Sequence, residues 1–232
     1  MRKIIIGTAV ALFALTSLIA LTAFAAVGGL LATVTLPGNG GCNVGITTDG
    51  NVVVVVQGSG CASSTLGVYD PPAGGGAASL LATKSVKDAA GAAVTVSVVD
   101  WDPARSTPGN MMLWAAYGQK VYLINIGNPT VSGDALATLK FTHTVSGGLI
   151  DGLARNPSDD TLYWSLDVAC CVWQFSLGTD LNPGNPALGT LMNTVTVKNS
   201  SGVADGRVSG VAIGANLADG TGTLYVGRDG AS

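Results

Sequence analysis

Leu30-Leu31-Ala32-Thr33 returns as Leu80-Leu81-Ala82-Thr83, as Ala135-Leu136-Ala137-Thr138, and more loosely as Ala187-Leu188-Gly189-Thr190. Its marker threonines, Thr33, Thr83, Thr138 and Thr190, stand roughly 50 residues apart, and self-similarity at such a period is the signature of a propeller or solenoid array. Each copy precedes the same succession of segments. In the third, Gly152-Leu153-Ala154-Arg155-Asn156-Pro157 leads through Ser158-Asp159-Asp160 into Thr161-Leu162-Tyr163-Trp164-Ser165. Two apolar runs around an Asx/Pro turn predict a β-hairpin. A third strand is expected at Val172–Phe175 and a fourth at Thr190–Val197.

The first repeat reads Gly45–Thr47, the turn Asp49-Gly50-Asn51, Val52–Val56 and Leu66–Tyr69. The second reads Val98–Pro103, Met112–Ala116, Val121–Ile126 and Leu136–Thr142, and the fourth begins with Gly210–Ile213 and Thr223–Val226. Four strands per repeat predict an all-β fold, a β-propeller of four-stranded antiparallel blades. Calling the strands of each blade A to D, the chain holds about three full blades plus partial N- and C-terminal pieces. The outer strand D at Leu30 then has no evident neighbour, and residues 27–232 read as an incomplete propeller. Open ends of that kind expose strand edges and favour self-association.

Asp151-Gly-Leu-Ala-Arg-Asn-Pro, followed by Thr-Leu-Tyr-Trp-Ser-Leu-Asp167, resembles the repeat of NHL-type propellers. Leu30-Leu-Ala-Thr-Val-Thr-Leu-Pro-Gly with Gly45-Ile-Thr-Thr-Asp-Gly-Asn51 is similar to the YVTN-type repeat of extracellular propellers. The resemblance implies the fold over nearly the whole mature chain. It leaves function open, because such folds carry lactonases, lyases, quinoproteins and binding modules alike.

Residues 1–26 read as a signal peptide: Arg2 and Lys3 precede an uncharged run from Ile4 to Phe24, and Ala23-Phe24-Ala25 forms a small-x-small cleavage pattern. Left uncleaved, Ile4–Phe24 would serve as a membrane anchor, since about 20 apolar residues span a bilayer. Either way the folded part is expected to be secreted, periplasmic or in the cell envelope. Net charge is −3 and only 11% of residues are charged. With no basic stripe, nucleic acid is not an expected partner.

In an exported chain, Cys42, Cys61, Cys170 and Cys171 suggest disulfides, with three connectivities open. Cys42 precedes strand A and Cys61 follows strand B of the first blade, on one side of a hairpin, which makes Cys42–Cys61 geometrically reasonable. Cys170 and Cys171 occupy the corresponding connection of the third blade, where a vicinal bridge or two free thiols are the alternatives. A vicinal bridge is also a feature of quinoprotein propellers, where it lies against the cofactor; no cofactor is identified by this dipeptide.

The residues just before each strand A are expected at the channel mouth: Val44, Ser97, Asp151 and Ser209. Only Asp151 is ionisable, so a metal or a general base there lacks companions. The Glu/Asn/Asn/Asp metal set of gluconolactonase-type propellers is not present at matching positions. His143, the one histidine, reads as an outward residue at the end of strand D. The aspartates Asp100, Asp102, Asp159 and Asp160 fall at A–B turns, where turn chemistry accounts for them. Trp101, Trp114, Trp164 and Trp173 are expected to pack between blades. No catalytic constellation is evident. The expected function is an exported module for binding a protein or small-molecule ligand, or for structural surface interaction. The alternative is a lactonase, lyase or quinoprotein-type enzyme whose remaining site residues lie beyond the C-terminus.

Overall fold

The computed structural model describes residues 33–36, 45–58, 62–143, 145, 150–166, 169–215 and 222–228. Residues 1–26, Val44, Cys42 and Cys61 lie outside them. Among the described residues no helix is long and apolar enough to cross a membrane.

The described residues fold into strands and their connections. β1 (Val34–Thr35) precedes a first blade of β2 (Ile46–Thr48), β3 (Val53–Val56) and β4 (Thr65–Asp70). After the short β5 (Gly76–Ala77), that blade is completed by β6 (Ser79–Lys87). The second blade is β7 (Val98–Trp101), β8 (Met111–Tyr117), β9 (Lys120–Gly127) and β10 (Gly133–Thr142); the third is β11 (Ile150–Asn156), β12 (Thr161–Leu166), β13 (Cys171–Ser176) and β14 (Leu191–Thr196). β15 (Val208–Ala215) and β16 (Gly222–Arg228) form a final antiparallel hairpin. Within each full blade the neighbours pair antiparallel in chain order. Inner strands sit side by side, β2 against β7, β7 against β11 and β11 against β15. This is the blade arrangement of a propeller, laid down by consecutive hairpins because sequential strands are the easiest neighbours to reach.

Blades also join at their outer edges. The end of β6, Lys84–Lys87, pairs in parallel with the start of β10, Gly133–Leu136. One eight-stranded sheet therefore runs through both blades, and its two end strands, β2 and β7, come back into contact. β1 repeats the device one blade earlier: Val34 and Thr35 pair in parallel with Gly76 and Ala77. The first outer strand, expected to stand without a neighbour, is thus hydrogen-bonded to the first blade over its described part. The reason is the parallel outer-edge pairing, which hairpin logic does not anticipate.

The repeated phrase acquires a physical meaning here. Ala82 and Ala137 are buried in the core between the first two blades, while Leu81, Leu136 and Leu188 are exposed on the rim. In the fourth copy, Gly189 lies against the Phe141 ring of the preceding blade. The small residue lets two sheets approach; the leucine before it points the other way, as strand alternation requires.

The first seam is aliphatic, with Val54, Val68, Leu113 and Ile124 fully buried. The second is aromatic, joining Trp114 to Trp164 and Phe175, with Phe141 and Trp173 packed against them. Trp101 packs against the first seam, so all four tryptophans lie where inter-blade packing was expected.

Candidate functional site

At the face bearing the D–A and B–C connections, neighbouring inner strands are stitched through their backbones. Ser97 is buried, and its hydroxyl donates to Ala116 O at 3.1 Å and to Ile150 O at 3.3 Å. Asp151 follows Ile150 directly and is the extra residue of a β-bulge, since Ile150 pairs with Leu166 and Gly152 with Ser165. Ser165 in turn donates its hydroxyl to Ser209 O. The three expected channel-mouth residues therefore stand along successive inner strands: Ser97 inside the wall, Asp151 and Ser209 half-buried.

Two glycines permit this closeness. A Cβ on Gly45 would lie 2.5 Å from Ser97 O, and one on Gly152 would collide with the Val211 amide and with Ser165 Oγ. Neither glycine is needed for a left-handed backbone; each is needed because another chain segment occupies the space.

The same face holds a groove of about 550 Å³ between the Asp88–Thr95 connection and the Tyr117–Lys120 turn, floored by Tyr122 and Thr142. Volumes of 300–1,000 Å³ are typical of ligand clefts. Tyr117 and Lys120 are exposed and Tyr122 is half-buried. Burial and the nearby Asp88 carboxylate raise the Tyr122 phenol above its ordinary pKa, so it remains a hydrogen-bond donor at neutral pH.

The densest charge lies at the opposite end, where the A–B turns meet. Arg155 Nε lies 3.0 Å from Asp102 Oδ1 and its NH2 lies 2.9 Å from Asp160 Oδ1. Arg105 reaches Asp102 Oδ2 at 2.8 Å and binds both Asp160 oxygens at 3.0 Å. Trp114 Nε1 donates to Asp102 Oδ2 at 2.8 Å. Asp102, Arg155 and Asp160 are buried and the Arg105 side chain is only 15% exposed. Two guanidiniums and two carboxylates balance one another, the condition under which buried charge is tolerated. Burial would raise the Asp160 carboxyl, but Arg105 and Arg155 outweigh it and hold its pKa below the ordinary value.

Asp100 joins three blades at this end. Its Oδ1 accepts from the Thr47 hydroxyl at 3.0 Å and its Oδ2 from the Arg155 amide at 2.6 Å. Burial raises its pKa against the opposing pull of those bonds. Thr47, Asp100 and Arg155 belong to the inner strands of three successive blades, so one carboxylate cross-links them blade to blade. Asp160 is the only described non-glycine residue with positive φ, at 53°. Its carbonyl is held by Asn185 Nδ2 at 3.0 Å, and Asn182 Nδ2 binds the Asp159 carbonyl at 3.0 Å.

Turn chemistry alone therefore does not explain the A–B aspartates. Asp100 accepts from the Arg155 amide, and Asp102 and Asp160 form ion pairs with arginines across the seam, links that turn patterns do not anticipate. One available signal was Arg155 itself, a cation directly after the apolar run Gly152–Ala154 in a chain that is only 11% charged.

His143 also departs from expectation. It lies two residues beyond Phe141 and shares its inward face, where it is buried with its ring 3.7 Å from that of Trp164 and 5.5 Å from that of Phe175. The backbone of Gly118 and Val145 lies beside the ring and favours its charged form, but burial outweighs both. Burial lowers its pKa to about 4. Cys170 and Cys171 are joined as a vicinal disulfide at the start of β13. Among the described residues no group of three or more His, Cys, Asp or Glu side chains is arranged to hold a metal ion.

No protein-family profile and no curated protein matches the chain. Among solved structures it is similar to a candidate 6-phosphogluconolactonase from Bacteroides uniformis, at 15% identity over 84% of this chain and 60% of that one, with a TM-score of 0.42. It is also similar to Sqt1 of Chaetomium thermophilum, solved bound to the N-terminus of ribosomal protein L10, at 14% identity over 73% and 39% of the two chains, TM-score 0.39. The β-propeller domain of Cps50 (Swd1) from Myceliophteria thermophila gives 9% identity over 77% and 51%, TM-score 0.38. The chain spans less than two thirds of the length of each of these structures.

Proposed function

We propose that this chain is an exported β-propeller module that binds a protein or small-molecule ligand on the face formed by its D–A and B–C connections. The observation that carries this reading is the division of polar chemistry between the two ends. The charged groups Asp102, Arg105, Arg155 and Asp160 neutralise one another inside the seams. The opposite face offers a groove with phenols, an ammonium and hydroxyls from Tyr117, Tyr122, Lys120, Thr95 and Thr142. Phenols suit recognition because each pairs an apolar ring with a polar handle. Asp151 and Ser209, on the same face, are proposed to border the channel mouth. An NHL/YVTN-type repeat and an N-terminal export signal belong to the same reading.

The test is selection of peptides from a display library and of saccharides from a glycan array on the purified chain. Selected ligands should lose at least about tenfold in affinity, roughly 1.4 kcal/mol, in a Tyr117→Ala/Tyr122→Ala variant that keeps the parent's denaturation midpoint. Ligands indifferent to that variant would place binding elsewhere. Turnover of a lactone panel that is abolished by Asp151→Asn would replace the binding reading with the enzymatic one.

A further inference from the structure

We propose that the Cys170–Cys171 disulfide is a thiol-exchange site, at which a dithiol reductant loosens the junction between the third blade and β15. The bond joins adjacent residues, so it closes a small ring through a single peptide unit and restricts the backbone of both. That restricted unit sits within a hydrogen-bonded junction. Cys170 O accepts from the Val197 amide at 3.0 Å, which ties it to the segment following β14. Directly before it, Ala169 and the first residue of β15, Val208, exchange two backbone bonds, Ala169 N to Val208 O at 3.3 Å and Val208 N to Ala169 O at 2.9 Å. Val208 is fully buried. The conformation that the ring imposes therefore governs a direct backbone link between blade three and the β15–β16 hairpin.

The two cysteines differ in access. Cys170 is exposed and Cys171 is buried at the head of β13, where it pairs with Thr196. A reductant thiolate attacks Cys170 Sγ. The sulfur–sulfur bond breaks, and its electron pair leaves on Cys171 Sγ, which takes up a proton. The second thiol of the reductant then displaces Cys170 from the mixed disulfide, leaving the reductant as a cyclic disulfide. In sum the protein gains two electrons and two protons and holds two thiols. Opening the ring returns torsional freedom to the 169–171 backbone, and the Ala169–Val208 bridge must then bear the entropic cost of ordering it.

Peptide-resolved hydrogen exchange of the full chain tests this in three forms: untreated, treated with dithiothreitol, and the untreated Cys170→Ser/Cys171→Ser variant. The serine variant needs no reductant, which separates this site from any effect at Cys42 or Cys61. The Ala169 and Val208 amides should exchange about tenfold faster or more in the reduced and serine forms, with Leu162 and Trp164 in β12 unchanged. Iodoacetamide should label Cys170 after reduction without denaturant. Unchanged exchange at Ala169 and Val208 in both altered forms, or labelling of Cys170 only in denaturant, would overturn the proposal.

Discussion

Arg155 of the third blade sets its Nε 3.0 Å from Asp102 Oδ1 of the second, and both side chains are buried. The pair crosses the same seam as the Arg105–Asp160 pair, and each member has a second partner of opposite charge, Asp160 for Arg155 and Arg105 for Asp102. Removing one member of such a set strands the rest in a medium of low polarity, which costs more than the pair contributes when intact.

Arg155→Met should therefore lower the unfolding free energy by about 3–5 kcal/mol, the range for breaking a buried pair. Arg105→Met should cost less, because its 15% exposed side chain leaves a path for water to the abandoned carboxylates. Urea titration followed by tryptophan fluorescence measures both. Equal losses would show that burial does not set the ranking.

His143 gives a pH signature. Its folded pKa, about 4, lies below the ordinary histidine value of 6.5, so between those values the unfolded chain binds the extra proton. Its neutral, packed form contributes full stability above about pH 6.5, and that contribution is lost as pH falls towards 4. The loss should be on the order of 1–3 kcal/mol. His143→Leu should flatten this part of the stability profile, measured by urea midpoints between these pH limits; an unchanged slope would remove His143 as its source.

The seam glycines should resist substitution for a steric reason. Gly152→Ala drives a methyl group into the Val211 amide, and Gly45→Ala drives one into Ser97 O. Each should cost about 1–3 kcal/mol, the usual penalty of overpacking, whereas Gly202→Ala meets no atom within 4 Å and is strained only by its φ of +78°. Thermal melts of the three variants provide the comparison, with Gly152→Ala melting lowest.

The phrase that organises the chain has its own test. Ala137→Leu puts a large side chain into the closed seam and should lose about 1–3 kcal/mol, while Leu136→Lys on the exposed rim should stay within about 0.5 kcal/mol. Reversal of that order would mean that the small residue of the repeat does not face the neighbouring blade.

Strand positions were readable in the sequence because each hairpin carries its own turn and its own apolar alternation. Asp49-Gly50 shows why: Gly50 takes a φ of 91° and Asp49 Oδ1 accepts from the Asn51 and Val52 amides, at 2.8 and 2.9 Å, all within a few residues. The parallel ladder between Lys84–Lys87 and Gly133–Leu136 was not readable, because it joins segments about a repeat apart and leaves no local mark. The same holds for the charge network. Arg105 and Asp160 are 55 residues apart, and a turn aspartate that bonds locally looks the same in sequence as one that also receives an arginine from the next blade. His143 differs for another reason: a polar residue ending an outer strand reads as outward, but two residues beyond Phe141 it shares that ring's inward face and is buried.

The most direct measurement is a double-mutant cycle on Asp102 and Arg155, using Asp102→Asn, Arg155→Met and their combination in urea unfolding. A cross-blade lock predicts strong coupling, at least about 1.5 kcal/mol within the range for residues sharing one network, so that the double variant is far less damaged than the sum of the singles. Additive losses would contradict it: the aspartate and arginine would then act independently, and the cluster would have to be reconsidered as the functional site.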